Sequence, residues 1–300
     1  MPLTHTRTFQ VRYYECDSYG RLNHTNYLRY MQEAAFDASA AAGYDLARYA
    51  AMGRHWLIRE TDIEFLRPLR YGDAVQVKTW VADFQRVRSL RLYDFRMAGS
   101  DELVARAQTD WAFLESASPA GRDASGRPAP IPPEMIAAFF PDGPPQAASP
   151  RSRFAAPPRP PAGAFRLRRR VEWRDIDAAQ HVNNAVYLAF MEDCGLRATA
   201  ACGWPLARIQ AQGVAILAGG HQIEYRQPAL LDDELELTTW LSGVKEASAL
   251  RHYTITRAGD GALLARAHTR WGCIDLETGQ PMPIPAPLLA DLAPNTSDTH

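Results

Sequence analysis

Cysteine is scarce in this 300-residue chain: there are four, Cys16, Cys194, Cys202 and Cys273, and no pair has C-x-x-C spacing. Neither a disulfide framework nor a cysteine-ligated zinc site is implied. Charge of one sign is also lacking. Thirty-three Lys and Arg against 34 Asp and Glu leave a formal charge of −1, which argues against the basic face of a nucleic-acid-binding protein. No apolar run approaches the roughly 18 residues needed to span a bilayer. The opening residues, M-P-L-T-H-T-R-T-F, lack the apolar core of a signal peptide. With no ligand cluster and no glycine-rich dinucleotide motif, no metal or cofactor is expected. A cytoplasmic protein with no membrane and no nucleic-acid partner is the expectation.

What the chain does contain is nearly the same passage twice. V-R-Y-Y-E-C-D-S-Y-G-R-L-N-H-T-N-Y-L-R-Y-M over residues 11–31 returns as V-E-W-R-D-I-D-A-A-Q-H-V-N-N-A-V-Y-L-A-F-M over 171–191. The offset is 160 positions, and it holds without a gap to Glu115 and Asp275. Asp17/Asp177, Asn23/Asn183, Tyr27/Tyr187, Gly43/Gly203, Pro68/Pro228, Trp80/Trp240 and Trp111/Trp271 are identical pairs. So long a period is a duplicated domain rather than a solenoid, whose repeats run about 20–50 residues. A duplication of this kind is expected to fold as a pseudo-dimer, and about two domains suit the length.

The pattern within each copy is one strand, one long helix, then an antiparallel meander, an α+β order. In the first copy the spacing predicts a strand over 6–15, a helix over 24–42, and strands over 55–66, 74–84, 88–96 and 103–114. The second copy repeats this as a strand over 165–173, a helix over 184–202, and strands over 214–225, 234–241, 249–256 and 263–274. Tyr27, Met31, Ala34, Ala35, Ala38 and Ala42 recur on one helix face, so small residues let that helix lie close to its neighbour. Gly43 stands where a helix-ending glycine belongs. A proline-rich connector covers 116–164. G-R-P-A-P-I-P-P-E-M-I-A-A-F-F before the linker resembles the C-terminal G-Q-P-M-P-I-P-A-P-L-L-A-D-L-A, so each unit is expected to end in a short packed helix. The expected division is a first domain over 1–140, a linker over 141–164 and a second domain over 165–300.

The stretches E-C-D-S-Y-G-R-L-N-H-T-N-Y and D-I-D-A-A-Q-H-V-N-N-A-V-Y, with this element order, resemble the hotdog-fold thioesterases, in particular the 4-hydroxybenzoyl-CoA thioesterase group. The tandem arrangement resembles the fused double-hotdog acyl-ACP thioesterases. The resemblance implies a tandem hotdog fold, each unit a long central helix wrapped by a curved antiparallel sheet. It also implies cleavage of an acyl-CoA or acyl-carrier-protein thioester to a free acid and a thiol. A non-catalytic acyl-thioester-binding protein, or a dehydratase or acyltransferase on the same fold, are the rival readings. Further homo-oligomerisation of the fused pair is left open.

A thioester is already activated, so its hydrolysis needs a positioned water or nucleophile and a place for the oxyanion. Asp17 or Asp177, on the loop before the helix, serves as general base or nucleophile in this reading. Seven residues on, the first helical amides at His24 and Asn184 offer donors and a partial positive charge. Asn23 and Asn183 are good helix caps. By resemblance, the first copy carries the bacterial single-hotdog pattern on Asp17, Gly20, His24, Asn26 and Tyr27. The plant-type pattern falls in the second copy on Asp177, Ala179 and His181, with Ala179 in place of its asparagine, and its later carboxylate and cysteine fall on Pro228 and Ala229. The candidate catalytic residues are therefore Asp17, Asp177, His24 and His181. Asn23, Asn26, Asn183, Asn184, Tyr27 and Tyr187 are candidates for substrate binding, the tyrosines also sitting at core spacing. Glu33 and Glu192 are possible second carboxylates. Arg166, Arg168 and Arg170 alternate on one strand face, fit either to meet phosphates or to line a solvated edge.

Overall fold

The computed structural model describes residues 1–116, 126–145, 147, 149–151 and 154–297. Connector residues 117–125, linker residues 146, 148, 152 and 153, and 298–300 lie outside the described residues. The chain divides into two compact units, Met1–Arg153 with Ile176–Ala185, and Phe154–Asp175 with Val186–His300.

The first unit is a five-stranded antiparallel sheet in the order β1-β3-β4-β5-β2, built from β1 (Thr4–Gln10), β2 (Arg54–Phe65), β3 (Ala74–Gln85), β4 (Arg88–Met97) and β5 (Leu103–Glu115). Register shifts at Ile58/Glu60, Val81/Asp83 and Phe95/Arg96 are bulges, which bend and twist a sheet. The long helix α1 (His24–Ala41) packs on β1 and β3. Its buried face carries Tyr27, Met31, Ala34, Ala35 and Ala38, the stripe that the sequence spacing places there. Gly43, at φ +81, adopts the left-handed turn that ends the helix.

The predicted first strand is too long. The ladder stops at Gln10 and residues Tyr13–Glu15 form a 3-10 turn, because the Glu15 carboxylate folds back to accept the Arg12 amide at 2.8 Å. A short helix that the periodicity does not reveal, α2 (Leu46–Ala51), follows α1, capped by Asp45. The expected terminal helix is α3 (Pro133–Phe139), whose Met135 and Phe139 complete a core with Tyr44, Tyr49, Val81 and Phe113.

The second unit repeats the order as β6 (Phe165–Arg170), α4 (Asn184–Ala201), α5 (Leu206–Ala211), β7 (Val214–Tyr225), β8 (Glu234–Ser242), β9 (Ser248–Arg257), β10 (Leu263–Asp275) and α6 (Ala286–Leu292). Its strands are paired as β6-β8-β9-β10-β7, again antiparallel. Leu288 and Leu292 of α6 close a core with Trp204, Ile209 and Trp271. Each unit thus presents a long helix against a curved antiparallel sheet, and the chain is a tandem hotdog fold.

The connector is not bare tether where it is described. Arg151 pairs with buried Asp83 and Asp110, and Phe154 stacks on His268 at 4.5 Å. Among the described residues no helix is long and apolar enough to cross a membrane.

Helix and sheet meet closely at Gly195 of α4, where an added Cβ would lie 2.7 Å from the Tyr253 hydroxyl and 3.4 Å from Arg251 Cδ. Helix propensity favours Gly→Ala by about 1 kcal/mol, but overpacking against a rigid buried ring costs about 1–3 kcal/mol. Gly195→Ala is therefore expected to lower stability in urea denaturation. A gain would show that α4 can lift from β9.

His252 of β9 is buried beside Trp240 and His268, with Nε2 2.6 Å from Ser242 Oγ. Burial, and secondarily the nearby His268, lower its pKa from 6.5 to about 4. The unfolded chain therefore takes up a proton between those values that the folded chain refuses, so stability falls as pH drops through this window. The full loss is about 3 kcal/mol. The first repeat has Leu92 and Ala82 at these positions. Denaturation curves from pH 7 to 4 should flatten in the double variant His252→Leu, Ser242→Ala; an unchanged slope would clear His252 of the effect.

Candidate active site

Both copies anchor the loop after the first strand with a buried acid. In the first, Glu15 accepts from the Arg12 amide at 2.8 Å and the Tyr30 hydroxyl at 2.6 Å. Its carbonyl receives the Asn23 amide at 2.9 Å and Asn26 Nδ2 at 3.0 Å. In the second, Asp175 accepts from the Glu172 amide at 2.9 Å and faces Arg169 Nη2 at 3.6 Å. An acid kept at this position in both repeats is a signal in the sequence that motif reading passes over.

From that anchor the chain turns tightly around the candidate aspartates. Asp17 donates its amide to Arg21 O at 2.7 Å, and its Oδ1 accepts the amides of Tyr19 at 2.8 Å and Arg21 at 3.1 Å. Asp177 donates its amide to His181 O at 3.1 Å, and its Oδ1 accepts the Ala179 amide at 2.9 Å. Both carboxylates are half-buried, held in place by local backbone amides yet with lone pairs to spare. The turn needs a left-handed residue one place before Arg21 and His181. Gly20 supplies it at φ +70, whereas Gln180 adopts φ +64 with a side chain.

The second loop has a further support within the first unit. Asn183 Oδ1 caps α4 by accepting the Ala185 amide at 2.9 Å. Its Nδ2 donates to Asp177 Oδ2 at 3.0 Å and to Gln32 Oε1 of α1 at 2.9 Å. With oxygen and both amide hydrogens engaged, Asn183 has one orientation, and Asp177 is held by it. Sequence reading did not single out Gln32, which aligns with Glu192 across the duplication. Such a polar pair among core spacings is the available signal. Asn23 makes the matching cap on Thr25 at 2.9 Å.

The other candidates divide by what they touch. His181 is buried and its Nδ1 lies 3.1 Å from Val182 O, a carbonyl that can only accept, so Nδ1 is the donor there. His24 is half-buried, with its ring stacked on Phe65 at 4.4 Å. Asn184 opens α4 and is half-buried. Asn26 is buried, bracing the loop through Glu15 and accepting from Arg29 at 2.8 Å. Tyr27 and Tyr187 are buried, and their hydroxyls accept the backbone amides of Leu69 and Ala229. Burial pushes the Tyr27 phenol well above its usual range. Those contacts fix the loops that follow β2 and β7, a packing role.

Glu33 is turned to the exposed side of α1, 3.3 Å from Arg7. Cys16 is half-buried, its Sγ 3.6 Å from Arg12 O, and burial raises its pKa, so it is no activated thiol. Arg166 and Arg168 pair with Glu236 and Arg170 with Asp232, as on a solvated edge. Arg169 turns inward, its guanidinium 3.5 Å from the Phe190 ring centre.

The geometry invites one stability test. A left-handed non-glycine residue costs about 1–2 kcal/mol, partly offset by the greater unfolded freedom of glycine. Gln180→Gly is expected to stabilise by about 0.5–1 kcal/mol, read as a raised denaturation midpoint. A lowered midpoint would mean that the Gln180 side chain makes a contact worth more than the strain.

The family model described as "Thioesterase-like superfamily" matches residues 11–139 and 171–292. The long-chain acyl-CoA thioesterase FadM of Escherichia coli is 35% identical over 106 residues, 34% of this chain and 77% of that protein. A chloroplastic palmitoyl-acyl carrier protein thioesterase of Cuphea hookeriana is 24% identical over 280 residues. That alignment takes in 90% of this chain but 62% of the plant protein, so the chain spans less than two thirds of that relative's length. Among solved structures, a 12:0-ACP thioesterase from Umbellularia californica superposes with a TM-score of 0.71 at 20% identity, covering 91% of this chain and 95% of that one. At that identity the likeness speaks for the fold.

Proposed function

The chain belongs to the thioesterase-like superfamily, and from that membership together with the loop geometry we propose that it hydrolyses an acyl-CoA or acyl-carrier-protein thioester in the cytoplasm, using a loop aspartate and the start of the long helix. The observation that carries this reading is the aspartate held by backbone amides immediately before an asparagine-capped helix, present twice, with Asp177 further fixed through Asn183 and Gln32. A helix start supplies donors and a partial positive charge where an oxyanion would develop.

In this reading the aspartate carboxylate takes a proton from a water as that water adds to the thioester carbonyl. The negative charge that builds on the carbonyl oxygen is met by the opening amides at His24 or Asn184. Collapse of the tetrahedral species expels the thiolate, which recovers the proton from the aspartic acid, leaving a carboxylic acid and a thiol. Direct attack by the carboxylate, with an anhydride intermediate then hydrolysed, uses the same groups. With Nδ1 engaged by Val182 O, His181 has its Nε2 as the ring nitrogen for carbonyl recognition at the second loop. Gln32 acts through Asn183 and is a positioning residue.

Replacing a base or nucleophile by its amide keeps shape and removes the chemistry. Asp17→Asn or Asp177→Asn, at whichever loop is live, should cut thiol release from a good acyl-CoA or acyl-carrier-protein substrate by about two orders of magnitude or more. The assay follows released thiol across a panel of acyl groups on both carriers. Wild-type turnover in both single variants and in the double variant would rule out the carboxylate mechanism.

A further inference from the structure

The duplication also puts an exposed aromatic ring at the same point of each repeat, just before the aspartate loop. Tyr13 is 80% exposed and Trp173, its equivalent by the 160-residue offset, is 77% exposed. In the first repeat the aromatic surface is wider. Tyr14 and Tyr71 are exposed as well, and the Tyr71 and Tyr13 rings meet at 5.8 Å and 87°. A single large ring in water is ordinary, whereas a cluster of them marks a surface that meets something.

The turn that carries Tyr71 shares a hydrogen-bonded frame with the aspartate loop. Gly72 donates to Val11 O at 3.0 Å, Val11 donates to Asp73 O at 2.9 Å, and Leu22 donates to Leu69 O at 2.7 Å. Arg21, whose amide and carbonyl both bond to Asp17, forms a β-bridge with Arg70. Cations flank the rings. Arg70 is exposed and, among the described residues, has no carboxylate at ion-pair distance, since Asp73 caps the turn by accepting the Arg70 amide at 2.7 Å. Arg12 lies 6.0 Å from the Tyr14 ring centre and 3.7 Å from buried Glu15. The second repeat keeps only the tryptophan. Glu172, Arg174, Leu230 and Leu231 stand for Arg12, Tyr14, Arg70 and Tyr71, and Glu172 neutralises Arg174 at 2.9 Å.

We propose that the Tyr13–Tyr71 corner holds the adenine of a coenzyme A thioester, with Arg70 and Arg12 meeting its phosphates. The first loop is then built for the CoA form of the substrate rather than the carrier-protein form. This rests on the thioesterase reading and deepens it by naming the carrier. Two rings at right angles beside an unpaired guanidinium suit a flat base next to a phosphate. Any base stacks on an aromatic face, and arginine meets phosphate with paired donors. The reach agrees. Tyr13 precedes Asp17 by four positions, so their backbones are at most about 14 Å apart. The pantetheine arm, about a dozen bonds from sulfur to diphosphate, has the extended length of about four residues. A carrier protein presents the same arm without the adenine and gains nothing from the rings.

The test compares the hexadecanoyl group on CoA, on pantetheine and on an acyl-carrier protein. Tyr13→Ala, Tyr71→Ala and Arg70→Gln change exposed side chains. Each should raise KM for the CoA thioester about tenfold with kcat retained, and the other two thioesters should keep their wild-type KM. Arg166→Gln, another exposed arginine, should match wild type on all three. Equal rises on CoA and pantetheine thioesters would reveal a distorted loop and overturn the inference. A rise confined to the carrier-protein thioester would overturn it by making the patch a protein-docking surface, and a changed oligomeric state in sedimentation would do so by assigning the patch to a second copy. Unchanged KM values in all three variants remove the site and leave thioester hydrolysis standing. Calorimetry with adenosine 3′,5′-bisphosphate separates site from reaction. Binding that weakens about tenfold in Tyr13→Ala and Arg70→Gln, and falls with added salt, upholds the site even where no thioester is hydrolysed. Equal binding by wild type and variants removes it.

Discussion

The start of the long helix is the constraint on which the site depends. An α-helix leaves its first amides without partners inside the helix, and a half-buried start must find acceptors for them. Asn23 and Asn183 provide those for Thr25 and Ala185. Once the cap residue is fixed, the preceding loop has little freedom: Glu15 O must receive the Asn23 amide, and the aspartate loop must close between that anchor and the cap. The electrostatic field that makes the helix start a good place for an oxyanion is the field that a preceding carboxylate also stabilises. Helix capping and the proposed chemistry therefore call for the same residue type at Asp17 and Asp177.

Duplication gives each repeat the same backbone problem, and divergence shows that it has several side-chain solutions. The first repeat braces its loop with Phe9 stacked on Tyr30 at 4.3 Å and the Tyr30 hydroxyl on Glu15. The second uses Arg169 at the position of Phe9, lying over Phe190 and facing Asp175. An aromatic stack with a hydroxyl has been exchanged for a cation over a ring with an ion pair. The turn after the aspartate shows the reverse economy: the second repeat keeps a strained Gln180 where the first has glycine. On the surface beside the loop the exchange is one-sided, because Leu230 and Leu231 stand where the first repeat has Arg70 and Tyr71. Copies under identical constraint would have kept matching residues there.

The proline-rich connector illustrates how local chemistry and tertiary context divide the work. Proline removes backbone donors and keeps the chain out of the ladders, which is legible from composition. That Arg151 would meet two buried carboxylates, and Phe154 a half-buried histidine, depends on surfaces assembled from distant strands. A buried ion pair of this kind stabilises only if its geometry is good, and Arg151 achieves it by engaging Asp83 and Asp110 together.

The sequence by itself determined the duplication, the long helices to within a residue at their ends, the meanders, the terminal helices, and the aspartate and asparagine at each helix start. These are local or periodic matters: helix and strand periods, capping preferences and turn glycines act over a few residues and leave their mark in order. It overran the first strand because Glu15 turns back on Arg12, and it passed over the helix at Leu46–Ala51, which is too short to show a period. What only the tertiary structure decided is which polar side chains meet. Gln32 reaches Asn183 across 151 positions, and Tyr187 holds the amide of Ala229. Hydrogen bonds between residues far apart in the chain depend on angstrom-scale placement of separate elements, and residue order encodes that placement only through the packing of the whole unit.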